Sequence, residues 1–388
     1  MASVYEAHPL NVGSSTNIRV IELVHEDPPN LDNPISCTIH VVSREDAPSY
    51  VALSYVWGDE ADVHTILLDG KPFTVRRNLW DFLMQWRRHG KKGYLWIDAL
   101  CIDQSCVGER NHQVAMMGQI YSKAALVISW LGPSAHFERL LQEYRNLVVE
   151  HGFDEKLCFK GDPVRWVDYM REIDRAEYWD RLWIVQECVM AQNLELWAGR
   201  AKILINLDLL KPIRDGYSLR FQQIFYMRMH YQRRSIADFC SDTLFNKFEK
   251  AKCTDPRDRV YGLLAVIHPQ ELEEFPIVPD YSKSRIALFV ELWGRWCKQR
   301  DLSYRRDMLP TGDYWLAYNC LKDMLELTNK DEGFRQVAEK CRQEGEELVK
   351  REKNRNLEEK KKEILSLMGR KRNPELLLLP ASSSPPTD

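Results

Sequence analysis

Two carboxylates in this chain stand among residues that shun charge. Asp98 interrupts "YLWIDALCIDQ" (94–104), a run otherwise of the kind used by a strand covered on both faces, where an unpaired charge costs several kcal/mol or stays protonated. Glu187 is flanked by Trp183, Ile184, Val185, Cys188 and Val189, so desolvation raises its pKa unless a cation such as Arg181 pairs with it. Carboxyls perturbed in this way are candidates for catalysis. For Asp98 the competing account is a buried structural pair with Arg110 or a backbone amide. Cys101 is a nucleophile by type, but no histidine lies near it in sequence, and a buried inert thiol accounts for it better. Glu109 fits a helix-supporting role beside Arg110 and Gln113.

The elements that must position these groups are legible as patterns. "IRVIELV" (18–24) and "ISCTIHVV" (36–43) alternate and are rich in β-branched residues, which predicts an antiparallel pair of strands. "YVALSYVWG" reads as a buried strand ending at Gly58, and "HTILLDGKPFTV" as two short strands around an Asp-Gly turn. Residues 78–89 carry a helical stripe of Leu79, Phe82, Leu83 and Trp86. Then follow a strand over "GYLWIDALCI", a helix over "ERNHQVAMMGQIYSKA" and a strand over "ALVISWLG", an alternation that predicts a parallel sheet with right-handed crossovers. "AEYWDRLWIVQECVMAQ" predicts a continuous helix with Trp183 and Glu187 one turn apart, and "NLELWAGR" a further strand. In such sheets ligands bind outside the carboxyl ends of the strands, and Ser54, Tyr55, Asp59, Asp98 and Asp103 are all at or just past such ends. For Ser54 the competing account is a small packed residue satisfied by backbone.

Beyond about residue 205 the pattern turns mainly helical. In "DPRDRVYGLLAVI", Asp255 is a cap, Pro256 sits in the first turn, and Val260, Leu263, Leu264 and Ile267 form a stripe. The expected organisation is a β preface over 1–48, an α/β core over 49–205, a helical extension over 206–329, a charged, solvated helix over 330–372 and a disordered tail over 373–388.

A chain of 388 residues that is 44% hydrophobic and 11% aromatic can bury substantial cores. Its net charge of -3 provides no global field for nucleic acid or an anionic membrane, and the basic stretch "MRMHYQRRS" (227–235) reads as a solvated helix face. The start lacks a secretion pattern and no apolar run reaches about 18 residues, so a cytoplasmic protein with no membrane partner is expected. The 10 cysteines lack paired CxxC spacing, which reads as reduced, mostly buried thiols without a structural metal. Motifs for phosphate-binding loops, zinc proteases and serine hydrolases are absent, which argues against a nucleotide-dependent kinase or ATPase and against ordinary hydrolases of those kinds.

Taken together, "YVALSYVWGD" (50–59), "LWIDALCIDQ" (95–104), "ERNHQVAMMGQIYSKAALVISWLG" (109–132), "YWDRLWIVQECVMA" (178–191), "TDPRDRVYGLLAVI" and "PDYSKS" (279–284) resemble, in order, the HET (heterokaryon incompatibility) domain of filamentous fungi. The resemblance implies a regulated cell-death effector in non-self recognition, a form of fungal innate immunity. HET domains are in turn similar to TIR domains, which implies a TIR-like (flavodoxin-like) parallel sheet with flanking helices beside the helical C-terminal region. "ALSYVWGDE" is similar to the first TIR strand with its Ser and acidic loop. "RLWIVQE" is similar to the TIR helix in which a Trp precedes the catalytic Glu by one turn, and this maps that Glu onto Glu187. Where the TIR pattern has a Ser before the Trp region, this chain has Arg181 and Leu182.

TIR enzymes cleave NAD at its nicotinamide glycosidic bond, so the resemblance implies NAD or a related nucleotide as substrate, with no resident cofactor. Glu187 would serve the ribose and Trp183 would wall the pocket. Ser54, with Tyr55, Trp57, Gly58, Asp59 and Arg181, would position the dinucleotide, and Asp98 would order Ser54 or a ribose hydroxyl from the pocket floor. The alternative is a non-catalytic module acting by self-association or docking to an upstream sensor protein. A reachable Glu187 beside Ser54 favours the first; a pocket blocked by Trp57, or Glu187 locked to Arg181, favours the second.

Overall fold

β3 (Tyr50–Tyr55) is the hub of the fold in the computed structural model, which describes residues 3–10, 16–25, 31–151, 168, 171–205, 220–232, 240–301 and 314–371. Its residues Ala52, Leu53, Ser54 and Tyr55 are all buried, so both faces of the strand are covered. β6 (Tyr94–Trp96) and β7 (Leu126–Trp130) flank it in parallel, and β8 (Leu194–Ala198) lies parallel to β7. The expected parallel sheet is therefore the centre of a larger mixed one. β1 (Asn17–Leu23) and β2 (Ser36–Ser43) form the expected antiparallel pair, and β1 continues the same sheet antiparallel to β6. β4 (Val63–Leu68) and β5 (Lys71–Arg76) make a hairpin whose Asp69 and Gly70 both have positive φ, as an Asp-Gly turn requires. β9 (Ala201–Leu204) closes the other edge antiparallel to β8, giving the order β5-β4-β2-β1-β6-β3-β7-β8-β9.

The chain passes from β3 to β6 on one side and then crosses back to β7 on the other. The strand order thus reverses between β3 and β7, the place where an open α/β sheet leaves a crevice at its carboxyl edge. Ser54 and Ser129 are register partners there. On the opposite face Trp130 and Trp197 pack on Phe82 of the Arg77–Arg88 helix, which buries the expected stripe. Each such side chain contributes about 1.5–3 kcal/mol relative to exposure. The Val107–Lys123 helix buries Val114, Met117, Ile120 and Tyr121, with Tyr121 edge-on to Trp96.

Three elements depart from expectation. The strand over "GYLWIDALCI" ends at Trp96, and Asp98–Cys101 forms one helical turn closed by Leu100 and Cys101 amides on Ile97 O. Leu100, Cys101 and Ile102 are buried in this turn as they would be in a strand, so the apolar run does not distinguish the two. The helix over 176–192 is broken into a 3-10 turn (Glu177–Asp180), an extended Arg181 and a helix over Ile184–Met190. The break is tertiary: Leu182 N donates to Lys252 O at 3.0 Å and Lys252 N to Asp180 O at 2.7 Å. "DPRDRVYGLLAVI" is likewise a short helix (Asp258–Tyr261) and a 3-10 turn (Leu264–Val266), joined at Gly262, where a Cβ would lie 3.0 Å from Leu182 Cδ2.

The C-terminal region is helical as expected, with helices over Ser241–Phe248, Arg285–Asp301, Tyr314–Met324 and Phe334–Lys371. The last begins as a packed element rather than a solvated one, since Phe334, Ala338 and Cys341 are buried. The tail over 373–388 lies outside the described residues. Among the described residues no helix is long and apolar enough to cross a membrane.

Candidate functional site

Ser54, at the carboxyl edge of β3, donates a hydrogen bond to Glu187 Oε2 from the first turn of the Ile184–Met190 helix. The Ser54 hydroxyl also meets Tyr178 OH at 2.6 Å, and Tyr178 OH donates to Ser129 Oγ at 2.8 Å. Cys188 Sγ completes the cluster at 3.4 Å from Tyr178 OH and 3.6 Å from Ser129 Oγ. Glu187 is 1% exposed. Burial pushes its carboxyl up to about 7, against the lowering pull of Arg181 and of hydrogen bonds with Ser54 and Tyr121.

Arg181 Nη1 is 3.9 Å from Glu187 Oε2 and donates its hydrogen bond to Tyr55 O instead. The guanidinium thus lies beside the carboxylate without forking onto it. Asp98 opens its helical turn by accepting from the Ala99 amide at 2.8 Å, and its Oδ2 accepts from Trp57 Nε1 at 2.9 Å. Burial raises this carboxyl too, opposed by Arg181 and the Trp57 hydrogen bond. Two acids and one guanidinium therefore share the end of the sheet. Such a set can stabilise a developing positive charge and bind an anion beside it.

The structure brings together Ser54, Tyr55, Glu187 and Arg181, and beside them Asp98 and Trp57. Asp98 bonds with Trp57, the Ala99 amide and the Tyr55 hydroxyl rather than with Ser54, while Arg110 stacks over Tyr281 at 4.3 Å. Trp183 gives its indole N–H to Asp258 Oδ2 at 3.2 Å and so faces the helical region. Gly58 has φ +83°, which suits glycine, and its carbonyl accepts from Arg76 at 2.9 Å. Asp59 is exposed and closes its own turn onto the Ala61 amide at 2.9 Å. Asp103 does the same with Ser105. Glu109 pairs with Arg19 rather than Arg110. Burial pushes the Cys101 thiol up to about 12, which leaves it inert.

Five contributors escape a reading of the sequence. Tyr178, Ser129 and Tyr121 look like core residues; only tertiary structure brings the Tyr178 and Ser129 hydroxyls together and sets Tyr121 OH on Leu53 O at 3.0 Å, beside Ser54. Arg228, from the basic stretch expected to be solvated, is buried and caps the Glu187 helix by donating to the carbonyls of Cys188, Ala191 and Gln192. Its neighbours 233–235 lie outside the described residues. Arg76 stands over the Trp57 ring at 5.3 Å. Among the described residues no group of three His, Cys, Asp or Glu side chains could hold a metal ion.

Residues 50–187 match the family model described as Heterokaryon incompatibility protein (HET), a segment running from the first residue of β3 to Glu187. Over 347 residues the chain is 27% identical to Heterokaryon incompatibility protein 6, OR allele, of Neurospora crassa, covering 70% of this chain and 50% of that protein. The chain spans about half the length of that curated relative. No solved structure matches.

Proposed function

We propose that this chain, whose residues 50–187 match the HET family model, is an effector of fungal incompatibility, the process in the name of its Neurospora crassa relative, and that it cleaves NAD in the cytoplasm with Glu187 as the working carboxylate. The observation that carries this reading is the hydrogen bond between Ser54 and Glu187, 133 positions apart in sequence, at the carboxyl edge where the strand order reverses. The spatial order β6-β3-β7-β8, second-first-third-fourth among the parallel strands, is that of a flavodoxin-like sheet and supports the TIR-like part of the reading.

Nicotinamide leaves NAD as a neutral molecule, taking the electron pair of the C1′–N bond, so no general acid is needed. The carboxylate of Glu187 stabilises the oxocarbenium-like centre that remains. Water then adds its oxygen to C1′ and yields its proton to the carboxylate, giving ADP-ribose, nicotinamide and, on release, one proton. A carboxyl titrating at about 7 is about half ionised at neutral pH, so turnover rises with pH through that value. The diphosphate of the dinucleotide is a natural partner for Arg181 and draws it from Glu187 as the substrate seats.

A second reading, a non-catalytic module that signals by self-association or by docking to a sensor protein, is favoured by the burial of Glu187 beside Arg181. The deciding experiment follows NAD loss and nicotinamide release by the purified chain at low and high concentration, for wild type and Glu187→Gln. Turnover in wild type that Glu187→Gln abolishes is the expected result. If NAD survives at both concentrations, while expression kills fungal cells equally well with and without Glu187, the non-catalytic reading replaces the first.

A further inference from the structure

The motifs "TDPRDRVYGLLAVI" and "PDYSKS" take no part in this chemistry, yet both converge on the segment that delivers Glu187. Asp258 is buried in the helical region, and its two oxygens are divided between two donors. Oδ1 accepts from Tyr281 OH at 2.5 Å, and Oδ2 from Trp183 Nε1 at 3.2 Å. Trp183 is the residue on which the Glu187 helix begins, and its carbonyl accepts the Glu187 amide at 3.3 Å. Tyr281 is itself fixed. Its amide donates to Asn111 Oδ1 at 3.0 Å, its carbonyl accepts from Arg257 at 2.8 Å, and the guanidinium of Arg110 lies over its ring at 4.3 Å.

A second grip lies just upstream. Lys252 forms a short ladder with residues 180–182, and Gly262 approaches Leu182 so closely that a Cβ would be 3.0 Å from its Cδ2. The segment 177–183, which supplies Tyr178 and Arg181 to the site, is thus held from the helical region at both the backbone and the Trp183 side chain. A carboxylate is the one short side chain that accepts from an indole N–H and a phenol at once without needing a donor of its own.

We infer that Asp258 is a positioning residue of the Glu187 site: through Trp183 it fixes where the Glu187 helix starts, and so keeps the carboxylate in register with Ser54. Its effect on turnover rests on the NAD-cleaving reading, whereas its grip on the helix is measurable without it. The test uses the full chain as wild type, Asp258→Ala and Tyr281→Phe, the last removing one donor to the carboxylate and leaving Trp183 bonded. Hydrogen exchange followed by mass spectrometry reads the amides of residues 184–190 against those of β1 and β6.

Asp258→Ala should speed exchange in 184–190 about tenfold, from the loss of the charge-assisted hydrogen bond that holds Trp183, with β1 and β6 unchanged. Tyr281→Phe should give a smaller rise at the same place. In NAD turnover, kcat should fall about tenfold in Asp258→Ala while KM stays within about twofold, since the carboxylate is misplaced and the binding surface is kept. A uniform rise in exchange across the sheet, or none at 184–190, overturns the inference. If wild type does not cleave NAD, a local rise at 184–190 still upholds the grip while the catalytic reading fails.

Discussion

Glu109 and Glu187 are the same side chain in the same core, 5% and 1% exposed, and they differ in how their charge is met. Glu109 faces a fork: Arg19 Nη1 and Nη2 donate to its two oxygens at 2.5 and 3.0 Å, and the Asp103 amide donates at 2.6 Å. Arg19 gives two further N–H groups to His8 O and Cys101 O. Glu187 has hydroxyl partners and a guanidinium at 3.9 Å that is committed to Tyr55 O. A buried carboxylate whose partner is forked onto it works as a tie between elements, here β1 and the Val107–Lys123 helix. One whose partner stands off keeps its proton near neutrality and can exchange it.

The largest test of this contrast removes the fork. Arg19→Ala leaves the Glu109 charge buried without its partner and should cost about 3–5 kcal/mol in denaturant unfolding. The double variant Arg19→Met with Glu109→Leu should recover most of that loss, because no charge is left to satisfy. A loss below about 1 kcal/mol in the single variant would mean that water reaches Glu109 and that the two sites are not different in kind.

Next in size is the pH dependence at Glu187. Its carboxyl moves from 4.5 to about 7 on folding, so the folded state holds the proton more tightly than the unfolded one. The stability this contributes is fully present below 4.5 and is lost as pH rises through about 7. Across that window wild type should lose about 3 kcal/mol that Glu187→Gln does not. Asp258, raised by burial to about 6, acts in the same direction but is common to both proteins and drops out of the difference. Parallel stability curves would mean that folding does not raise the Glu187 carboxyl.

The same contrast explains how much of the site could be read beforehand. The β4–β5 hairpin, the stripe of the Arg77–Arg88 helix and the burial of β3 follow from local pattern, and all three are seen. Glu187 stands out because its neighbours are apolar, and its pairing with Ser54 follows from resemblance rather than from spacing. The break at Arg181 depends on Lys252, some 70 residues downstream, and helical periodicity over 176–192 carries no trace of it. Asp98 illustrates the opposite error. Its apolar flanks suit a strand and a buried helical turn equally, so local pattern does not show its bond from Trp57. Glu109 has Arg110 beside it in sequence, yet Arg19 from β1 takes it, because only register in the folded sheet brings that fork into reach.

The smallest effect is the most specific. Ser54→Ala removes the hydroxyl that donates to Glu187 and leaves the Tyr178 bond to Ser129 in place. At pH 5 Glu187 is mainly protonated, so the variant loses an ordinary hydrogen bond and one buried oxygen, about 1 kcal/mol or less. Above pH 8 the hydroxyl meets a charge, and the loss should grow to about 1.5–3 kcal/mol. The sign is set by linkage: with a donor gone, the ionised form loses more than the neutral form, so the Glu187 carboxyl titrates higher still. Unfolding of wild type and Ser54→Ala at both pH values measures this. An equal loss at the two would show that the hydroxyl never meets the charge, and burial, opposed by the standing-off guanidinium and Tyr121, would then have to account for the poise of Glu187.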